Sequence, residues 1–514
     1  MNEHTRRKFL AGTAGSATVG IAGCSDDESE GTTAETNTPE TQTEEQTTTD
    51  DPDQTVDILE HDKRIGAHYY AWYWGDDGWS GRNHASDKPN SWLDDTPGTP
   101  TLGAYDTRNP DVVDRHIKWS LEHGINWWII NNGAPNTEID HTIRDIIFES
   151  KLADNMEFTI LFGGYDPSRT DDGRFDFDDP DQREVLTERF EHWEETKVHD
   201  DNYLWVDGRP TMYFWDSNDY VGDVAGAFEE AAETVDVEPY LIAAPAYRDQ
   251  PVAHTDLETF DAVKDYQAIS TDSAYMDRFR ELTVTNQRRW AAASDHLDIT
   301  FYPSVTPGFD SSVRDDGEHR VPILERDINA FRNECAALRG LADDDTLVVT
   351  SFNEWPEHTN VEPSEEEGTA YLEAIADELA RADWDVPDLE YQPLTLTFSE
   401  TVSEGPQELG FMAREIRVDT DDETVVESVG SLDETFAYVD GVYGRVPDEQ
   451  GGSRWLGGAG QRALILVPAS GAIERVMLEG RPIQAGITTT AETAEREIGS
   501  ITFGDDPGEY VLGD

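Results

Sequence analysis

Short apolar runs alternate with amphipathic stretches through the middle of the chain. The runs are rich in branched and aromatic residues and are bounded by polar or Gly-containing segments, which is typical of buried strands in a parallel sheet. Eight strands are predicted, at residues 65–70, 127–131, 158–162, 211–215, 240–244, 262–266, 300–304 and 347–352. Seven helices are predicted, at residues 110–123, 138–151, 182–197, 224–234, 274–294, 323–338 and 364–380.

This alternation predicts an α/β protein in which the strands and helices form a (β/α)8 TIM barrel of about 320 residues. A doubly wound sheet is the alternative, but no Gly-rich phosphate-binding loop follows the first strand. The last predicted helix begins with a capping-box pattern, because Glu367 follows Ser364 at the required spacing.

The pattern changes after Trp384, where strict alternation of apolar and polar residues replaces helical spacing. Gly-rich turns separate alternating segments at residues 394–398, 414–418, 462–467, 473–478 and 497–503. These segments predict a smaller all-β sandwich. We therefore place a barrel domain at residues 57–388 and an accessory sandwich at 389–514, which packs on the barrel or binds glycan.

The amino-terminal segment, residues 1–24, predicts export. Arg6 and Arg7 precede a weakly apolar stretch that is too short to span a membrane, which resembles a twin-arginine signal. The stretch ends in a lipobox-like Ile-Ala-Gly-Cys, in which Cys24 would be lipidated; a free Cys24 after an ordinary cleavage site is the alternative. Residues 25–56 are rich in Thr and acidic residues and predict a disordered tether. The folded part would then be anchored at the outer face of the cell membrane.

Charge narrows the range of partners and conditions. The chain has 109 Asp and Glu residues against 38 Lys and Arg residues, a net charge of -71. Nucleic acid is therefore excluded as an expected partner, since its binding needs basic surfaces. Such an acidic chain indicates adaptation to high salt, because screening weakens the repulsion that opposes a compact state. No segment has the spacing of a calcium-binding loop, and no metal or cofactor is expected.

Two carboxylates follow the last predicted strand. Glu354 and Glu357 lie on a segment in which Pro356 opposes a regular helix and fixes a local turn. Two carboxylates in unequal environments can divide the roles of general acid and general base. In so acidic a chain the alternative is a pair of solvated surface residues, and it is the position after a buried strand that favours catalysis.

Aromatic residues are concentrated at the end of the first predicted strand, in His-Tyr-Tyr-Ala-Trp-Tyr-Trp at residues 68–74. Loops after other strands combine aromatic with short polar residues, as at Tyr165 and Asp310. Sugar rings stack their C–H faces on aromatic rings while their hydroxyl groups need polar partners, so this composition favours a glycan cleft. Aromatic side chains that plug the mouth of the barrel are the alternative.

Several motifs resemble those of glycoside hydrolase family 99, the endo-α-mannosidases. The most specific is Phe-Asn-Glu-Trp-Pro-Glu-His-Thr-Asn-Val-Glu-Pro at residues 352–363. Further similar segments are His-Tyr-Tyr-Ala-Trp-Tyr at 68–73, Leu-Gly-Ala-Tyr-Asp at 102–106, Asp-Gly-Arg-Pro-Thr-Met-Tyr at 207–213 and Pro-Ser-Val-Thr-Pro-Gly-Phe-Asp at 303–310. The resemblance covers residues 65 to 384.

The resemblance implies a retaining endo-glycosidase that cleaves α-linked, mannose-containing glycans through a 1,2-anhydro sugar intermediate. Glu354 would be the base that assists the sugar 2-hydroxyl, and Glu357 the general acid that later activates water. An ordinary double displacement is the alternative. Together with the aromatic pattern, the resemblance assigns substrate binding to Tyr70, Trp72, Tyr73, Trp127, Tyr165, Tyr266, Asp310, Asn353 and Trp355.

The chain also departs from the family pattern. The family has a sequence similar to Ile-Glu-Pro-Tyr at the end of the third strand, whereas this chain has Gly163 and Gly164 before Tyr165. His358 occupies a position where the family has Gly, and Glu362 is interpreted as a structural residue at the terminus of the next helix.

The expected protein is a monomeric, extracellular glycoside hydrolase of the haloarchaeal lipoprotein type, with a glycan substrate and a membrane anchor. A non-catalytic glycan-binding envelope lipoprotein is the alternative.

Overall fold

The computed structural model describes most of the chain from residue 56 onward. The described residues are 56–75, 78–79, 91–132, 134–162, 174–245, 250–251, 256–264, 266, 273–313, 322–342, 344–404, 407–446, 452–458 and 460–513. No helix within these ranges has the length and apolar character needed to cross a membrane. The predicted signal, lipobox and tether, including Cys24, lie outside the described residues.

Eight parallel strands form the barrel, and each overlaps a predicted strand. They are Arg64–Tyr70, Trp127–Asn131, Glu157–Phe162, Arg209–Trp215, Tyr240–Ala244, Ala262–Val263, the two-part strand Thr300–Phe301 with Ser304–Val305, and Thr346–Val349. The first strand pairs with both the second and the eighth. The two parts of the seventh strand pair with the sixth and the eighth strands, respectively, which closes the sheet. The predicted (β/α)8 class is therefore confirmed.

Helices cover the outside of the sheet. The α-helices are Pro110–Glu122, Glu138–Thr142, Pro180–Thr196, Val224–Ala232, Ser273–Met276, Phe279–Leu297, Ile328–Leu338 and Ala370–Ile375, and two of them continue into the π-helical turns Ile143–Ile147 and Ala376–Ala380. Short 3-10 turns are Ser91–Asp95, Ala153–Asn155, Ser217–Asp219, Leu257–Thr259, Arg339–Leu341 and Trp355–Glu357.

Two predicted helix beginnings are wrong. The helix predicted from residue 323 begins at Ile328, because the Asp327 carboxylate accepts hydrogen bonds from the first free backbone N–H groups. The helix predicted from Ser364 begins at Ala370. Ser364 Oγ does accept the Glu367 N–H at 3.0 Å, but the Glu367 carboxylate binds Arg326 instead of completing a capping box.

The barrel interior contains both apolar and polar layers. Gly66 on the first strand leaves room for Trp127, since a Cβ at Gly66 would lie 2.2 Å from the indole. Nearer the carboxyl ends of the strands, the Lys264 ammonium donates to Thr350 Oγ1 at 2.9 Å, and Ser304 Oγ lies 3.1 Å from the same atom. These buried polar groups form the floor below the carboxyl ends of the strands.

The region after the barrel is all β, as predicted. One sheet contains, in order, Ala437–Asp440, Arg462–Val467, Gln392–Phe398, Thr488–Glu492 and Glu497–Thr502. The other contains Val402–Glu404, Gln407–Thr420, Ile473–Pro482 and Gly508–Leu512, with Thr424–Ser428 and Arg454–Gly457 also paired to its longest strand. A separate apolar core fills the space between the sheets.

The sandwich packs directly on the barrel. Ala292 and Ala293 of the long helix Phe279–Leu297 form a buried cluster with Ala437 and Leu466 of the sandwich. The small side chains on the helix allow the sheet to approach closely. The sandwich was predicted either to pack on the barrel or to bind glycan, and these contacts show that it packs on the barrel.

Short paired strands complete the described secondary structure. Their bounds are Tyr73–Trp74 with Gly78–Trp79, Phe175–Asp176 with Tyr220–Val221, and Trp205–Val206 with the fourth barrel strand. The first of these pairs begins the loop that follows the first barrel strand. It therefore holds part of the aromatic segment at the carboxyl end of the barrel.

Candidate active site

The eighth strand delivers the two candidate acids to the carboxyl end of the barrel. Residues Trp355–Glu357 form a short 3-10 turn with Pro356 in its first positions, where a missing N–H has no cost. Glu354 is 1% exposed and Glu357 is 8% exposed. Both carboxylates are therefore buried within the protein, which rules out the alternative of two solvated surface residues.

Hydrogen bonds tie this segment to the first strand. Asn353 Oδ1 accepts the Tyr70 N–H at 2.8 Å, and its Nδ2 donates to the Tyr70 carbonyl at 3.0 Å. The Tyr73 hydroxyl donates to the Asn353 carbonyl at 2.6 Å, and the Phe352 N–H donates to the His68 carbonyl at 2.8 Å. The aromatic first strand and the acidic segment are thus held as one unit.

Glu354 lies at the beginning of the turn. Its N–H donates to Ser351 Oγ at 2.8 Å, and Ser351 Oγ lies 2.9 Å from Thr359 Oγ1 across the same loop. The pKa of the nearby Tyr73 is raised well above its ordinary value by burial and then by the charge of Glu354. Tyr73 therefore stays protonated and acts as a hydrogen-bond donor behind the site.

Tyr266 contacts Glu357 and Tyr70. Its hydroxyl donates to Glu357 Oε2 at 3.3 Å and lies 3.5 Å from the Tyr70 hydroxyl. Burial raises the pKa of Tyr266 well above its ordinary value, and the charges of Tyr70, Glu357 and Glu354 raise it further. The backbone of Glu357 is fixed as well, because its carbonyl accepts the Asp310 N–H at 2.8 Å. The arrangement presents a neutral phenol beside two carboxylates.

Two basic side chains lie beneath Tyr266. The ammonium group of Lys264 is 4.5 Å from the centre of the Tyr266 ring, and the His68 ring packs edge-on against the same ring at 5.4 Å. Burial lowers the pKa of His68 well below its ordinary value, and the charge of Lys264 adds to this effect. His68 is therefore neutral, and Lys264 provides positive potential below the carboxylates.

Glu362 was predicted to be a structural residue at the terminus of the next helix, and its position differs from that prediction. It does not lie at a helix terminus; its buried carboxylate accepts hydrogen bonds from Trp355 Nε1 at 2.7 Å, the Tyr105 hydroxyl at 2.8 Å and His116 Nε2 at 3.1 Å. His116 Nδ1 in turn lies 3.1 Å from the Tyr69 hydroxyl. The one signal in the sequence was His116 itself, a polar residue on the apolar face of a predicted helix. Glu362 holds the indole of Trp355, the residue that lies between the two candidate acids in the sequence.

The predicted substrate-binding residues fall into several groups. Tyr266 and Asp310 contact Glu357, Tyr70 contacts Tyr266, and Trp72 packs against Tyr70 with ring centres 4.5 Å apart. Asn353, Tyr73 and Trp355 are buried behind the acids and support them. Trp127 does not lie in the predicted cleft. It lies inside the barrel at the amino end of the second strand, where it packs against Gly66 and Tyr213. Tyr165 lies outside the described residues, as do Gly163 and Gly164.

His358 ends the turn in a left-handed conformation, with φ of 53°. Gly, which the resembled family has at this position, would adopt this conformation without strain. Arg326 donates to the His358 carbonyl at 2.9 Å, while burial of the ring, followed by the charge of Arg326, lowers the pKa of His358 to about 4. The neutral ring lies near Gly98, which the Trp355 indole also approaches, and adds bulk beside the acidic segment.

Within the part of the chain that the structure describes, no group of three His, Cys, Asp or Glu side chains is arranged to hold a metal ion. The groups at this site that can move protons are its carboxylates and phenols. Two buried carboxylates, one of which accepts a hydrogen bond from a phenol, can serve as general acid and general base.

Comparison with known proteins supports the class of fold. Residues 176–375 match the family model described as glycosyltransferase WbsX. A solved glycoside hydrolase-like protein is 18% identical with a TM-score of 0.52, over 64% of this chain and 98% of its own. The GH99 endo-α-mannosidase from Bacteroides thetaiotaomicron is 16% identical with a TM-score of 0.49, over 62% of this chain and 97% of its own. None of the curated proteins matches the chain.

The chain therefore has a glycoside hydrolase-like (β/α)8 barrel, followed by an all-β sandwich. The site described above lies at the end of this barrel where glycosidases and other barrel enzymes carry out their chemistry. At such low sequence identity the likeness concerns the fold alone.

Proposed function

We propose that the protein is an endo-acting, retaining glycoside hydrolase that cleaves α-linked, mannose-containing glycans. The observation that carries this proposal is the burial of Glu354 and Glu357 at the carboxyl end of the barrel, with the Tyr266 hydroxyl donating to Glu357. Tyr70, Trp72 and Asp310 surround the pair with the aromatic and polar groups that a sugar needs.

The proposed reaction has two steps. In the first, Glu354 takes the proton of the sugar 2-hydroxyl, whose oxygen attacks C1 to form a 1,2-anhydro sugar. Glu357 protonates the glycosidic oxygen as its bond to C1 breaks. In the second, Glu357 takes a proton from water, the water oxygen attacks C1, and Glu354 returns its proton to O2 as the three-membered ring opens. Each general acid or base contribution is worth roughly 10²- to 10⁴-fold in rate.

The surroundings of the acids suit these roles. Glu357 receives a hydrogen bond from the Tyr266 hydroxyl, which stays protonated and can follow the carboxyl group through both of its states. Glu354 lies in a drier position, where displacement of water strengthens its interaction with a substrate hydroxyl. A double displacement with Glu354 as nucleophile uses the same residues and requires the carboxyl groups to be about 5 Å apart.

The test uses two isosteric variants and one matched control. Glu354→Gln and Glu357→Gln each remove one carboxylate, and we expect each to lower kcat by at least about 10²-fold on an α-linked manno-oligosaccharide. Glu365→Gln removes an exposed carboxylate from the same region of the chain and should leave kcat unchanged. Undiminished turnover in either active-site variant overturns the assignment. Glycan binding without turnover by the wild-type protein instead identifies the binding-only alternative.

The match to the glycosyltransferase WbsX model favours a second candidate, in which a sugar hydroxyl rather than water attacks C1. The same two carboxylates would serve this transfer, because an acceptor hydroxyl also has to lose a proton. Incubation of a manno-oligosaccharide with and without a second sugar as acceptor separates the two. Longer products formed in preference to the hydrolysed sugar would establish transfer, and hydrolysis alone would exclude it.

We propose that the enzyme acts outside the cell, anchored through Cys24 and adapted to high salt. The sequence of residues 1–24 and the net charge of -71 support this proposal. Mass spectrometry of the protein purified from membranes should find a diacylated Cys24 at the amino terminus. Cys24→Ser should release the protein into the medium, and an unmodified, uncleaved amino terminus would refute the anchor.

A further inference from the structure

We propose that a turn of the carboxyl-terminal sandwich, residues 430–436, is a working part of the catalytic cleft and sets the position of Glu357. The inference rests on the proposed function, in which Glu357 is the general acid. It assigns to the sandwich a role other than glycan binding, namely the alignment of a catalytic group in the neighbouring barrel.

A buried carboxylate makes this turn rigid. Glu434 is 1% exposed and accepts two hydrogen bonds from Arg454, at 2.8 and 2.7 Å, in a bidentate arrangement. It also accepts the Gly430 N–H at 2.5 Å, so that it closes the turn on itself. Bidentate, charge-assisted bonds of this kind are among the strongest and most directional in proteins. The turn is therefore a preformed element of the sandwich.

Barrel residues hold the turn at the carboxyl end of the strands. Gln250, which follows the fifth strand and is 1% exposed, donates to the Phe436 carbonyl at 3.2 Å and accepts the Tyr438 N–H at 3.1 Å. Arg289 of the long helix donates to the Glu434 carbonyl. An exposed ion pair between Arg278 and Asp433, at 2.6 Å, lies at the edge and contributes little by comparison.

At its tip the turn reaches the residues that hold Glu357. Leu432 packs against a buried barrel cluster that consists of Tyr266, Tyr275, Met276, Phe279, Leu282, Phe309 and Leu324. This cluster contacts the Glu357 side chain through Tyr266, and its member Phe309 directly precedes the residue that bonds the Glu357 backbone. Tyr266 donates to the carboxylate at 3.3 Å, and Asp310, the residue after Phe309, donates its N–H to the Glu357 carbonyl at 2.8 Å.

The packing therefore forms a continuous path from the sandwich to the proposed general acid. Protein interiors are close-packed, so the loss of a side chain from a cluster shifts its neighbours rather than leaving them in place. Removal of the Leu432 side chain should let Tyr266 and Phe309 move, and Glu357 with them. A displacement of about 1 Å can cost roughly 10²-fold in rate.

The experiment compares Leu432→Ala with Val511→Ala, a truncation of a 39% exposed sandwich residue far from the turn in sequence. Each full-length variant is assayed on an α-linked manno-oligosaccharide and on a dinitrophenyl α-mannoside. The sugar leaving group needs protonation by Glu357, whereas the dinitrophenolate does not. We expect Leu432→Ala to lose about 10-fold in kcat/KM on the oligosaccharide and less than about twofold in kcat/KM on the activated substrate, because kcat/KM reports only the step in which the leaving group departs. Val511→Ala should be unchanged on both.

Equal losses on the two substrates would overturn the proposal, because they indicate fewer folded molecules rather than a displaced acid. No loss on either substrate would overturn it as well. Hydrogen exchange gives a measure that is independent of turnover: the Asp310 amide, bonded to the Glu357 carbonyl, should exchange faster in Leu432→Ala than in Val511→Ala. If the wild-type protein cleaves neither substrate, the proposed function fails, and exchange of the Asp310 amide still decides the role of the turn.

Discussion

Replacement of Glu362 offers a quantitative test of how the acidic segment is held. The carboxylate is fully buried and accepts three hydrogen bonds, from Trp355, Tyr105 and His116. A hydrogen bond to a charged group contributes about 1.5–3 kcal/mol, and a neutral one about 0.5–1.5 kcal/mol. In Glu362→Gln the amide oxygen can keep the bonds from Trp355 and Tyr105, both of which meet the same carboxylate oxygen. The expected loss of unfolding free energy is therefore about 2 kcal/mol.

Glu362→Ala is a harsher change. It leaves three buried polar groups without an acceptor, each at a cost of about 1–3 kcal/mol, and it also leaves a cavity. We expect a loss of at least about 5 kcal/mol, more than twice the loss in the Gln variant. Because Trp355 lies on the same turn as Glu357 and directly follows Glu354, the Gln variant should also show a lower kcat while folded.

The assay is urea unfolding at constant molar salt, followed by tryptophan fluorescence, in which the Trp355 indole is itself a reporter. A wild-type midpoint and slope in Glu362→Gln would refute the reasoning, because they would mean that the charge contributes nothing. Equal losses in the Gln and Ala variants would also refute it. Glu365→Gln, which removes an exposed carboxylate nearby, controls for the change in net charge.

Further predictions concern the barrel core, pH and the phenol. Gly66→Ala should lower the free energy of unfolding, measured in urea, by about 1–3 kcal/mol, because the added Cβ would lie 2.2 Å from an indole carbon. Gly504→Ala is the control and should lower it much less, because a Cβ at Gly504 would have open space around it. On folding, the pKa of His358 falls to about 4 from 6.5 through burial and a neighbouring Arg. Between these two pH values the unfolded chain therefore binds one more proton than the folded protein, so the free energy of unfolding should fall as the pH drops from 6.5 to 4. Replacement of His358 by Asn, which tolerates the left-handed backbone, should reduce this fall by at most about 3 kcal/mol. Tyr266→Phe removes the donor to Glu357 and should lower kcat roughly 10- to 100-fold with unchanged circular dichroism; an unchanged kcat would refute the role of the phenol.

The barrel could be predicted because its strands are marked by local patterns. Each strand is a buried apolar run, and burial on both faces of a parallel strand leaves a continuous signal in the sequence. The location of Glu354 and Glu357 followed from the same pattern, since residues just after a barrel strand lie at its carboxyl end. The aromatic first strand added the residues that lie beside them, including Tyr70.

The errors arose where distant residues decide the structure. Ser364 and Glu367 have the spacing of a capping box, but Arg326, 41 residues away, binds the carboxylate that would complete it. Glu362 was interpreted as a helix terminus, yet its partner His116 lies 246 residues away. Trp127 was assigned to the cleft from the aromatic pattern and the family resemblance. Its place in the interior depends on Gly66 of the neighbouring strand, a pairing that local sequence does not reveal.

The link between Asn353 and Tyr70 also constrains how the molecule is made. These residues are 283 positions apart, and their two hydrogen bonds join the segment with both candidate acids to the first strand. Contacts of such long range form late and slow the search for the native state. A chain still emerging from the ribosome has neither acid in place until almost the entire barrel has been synthesised. The cleft should therefore be the last part of the barrel to mature, and incomplete chains should have no partial activity.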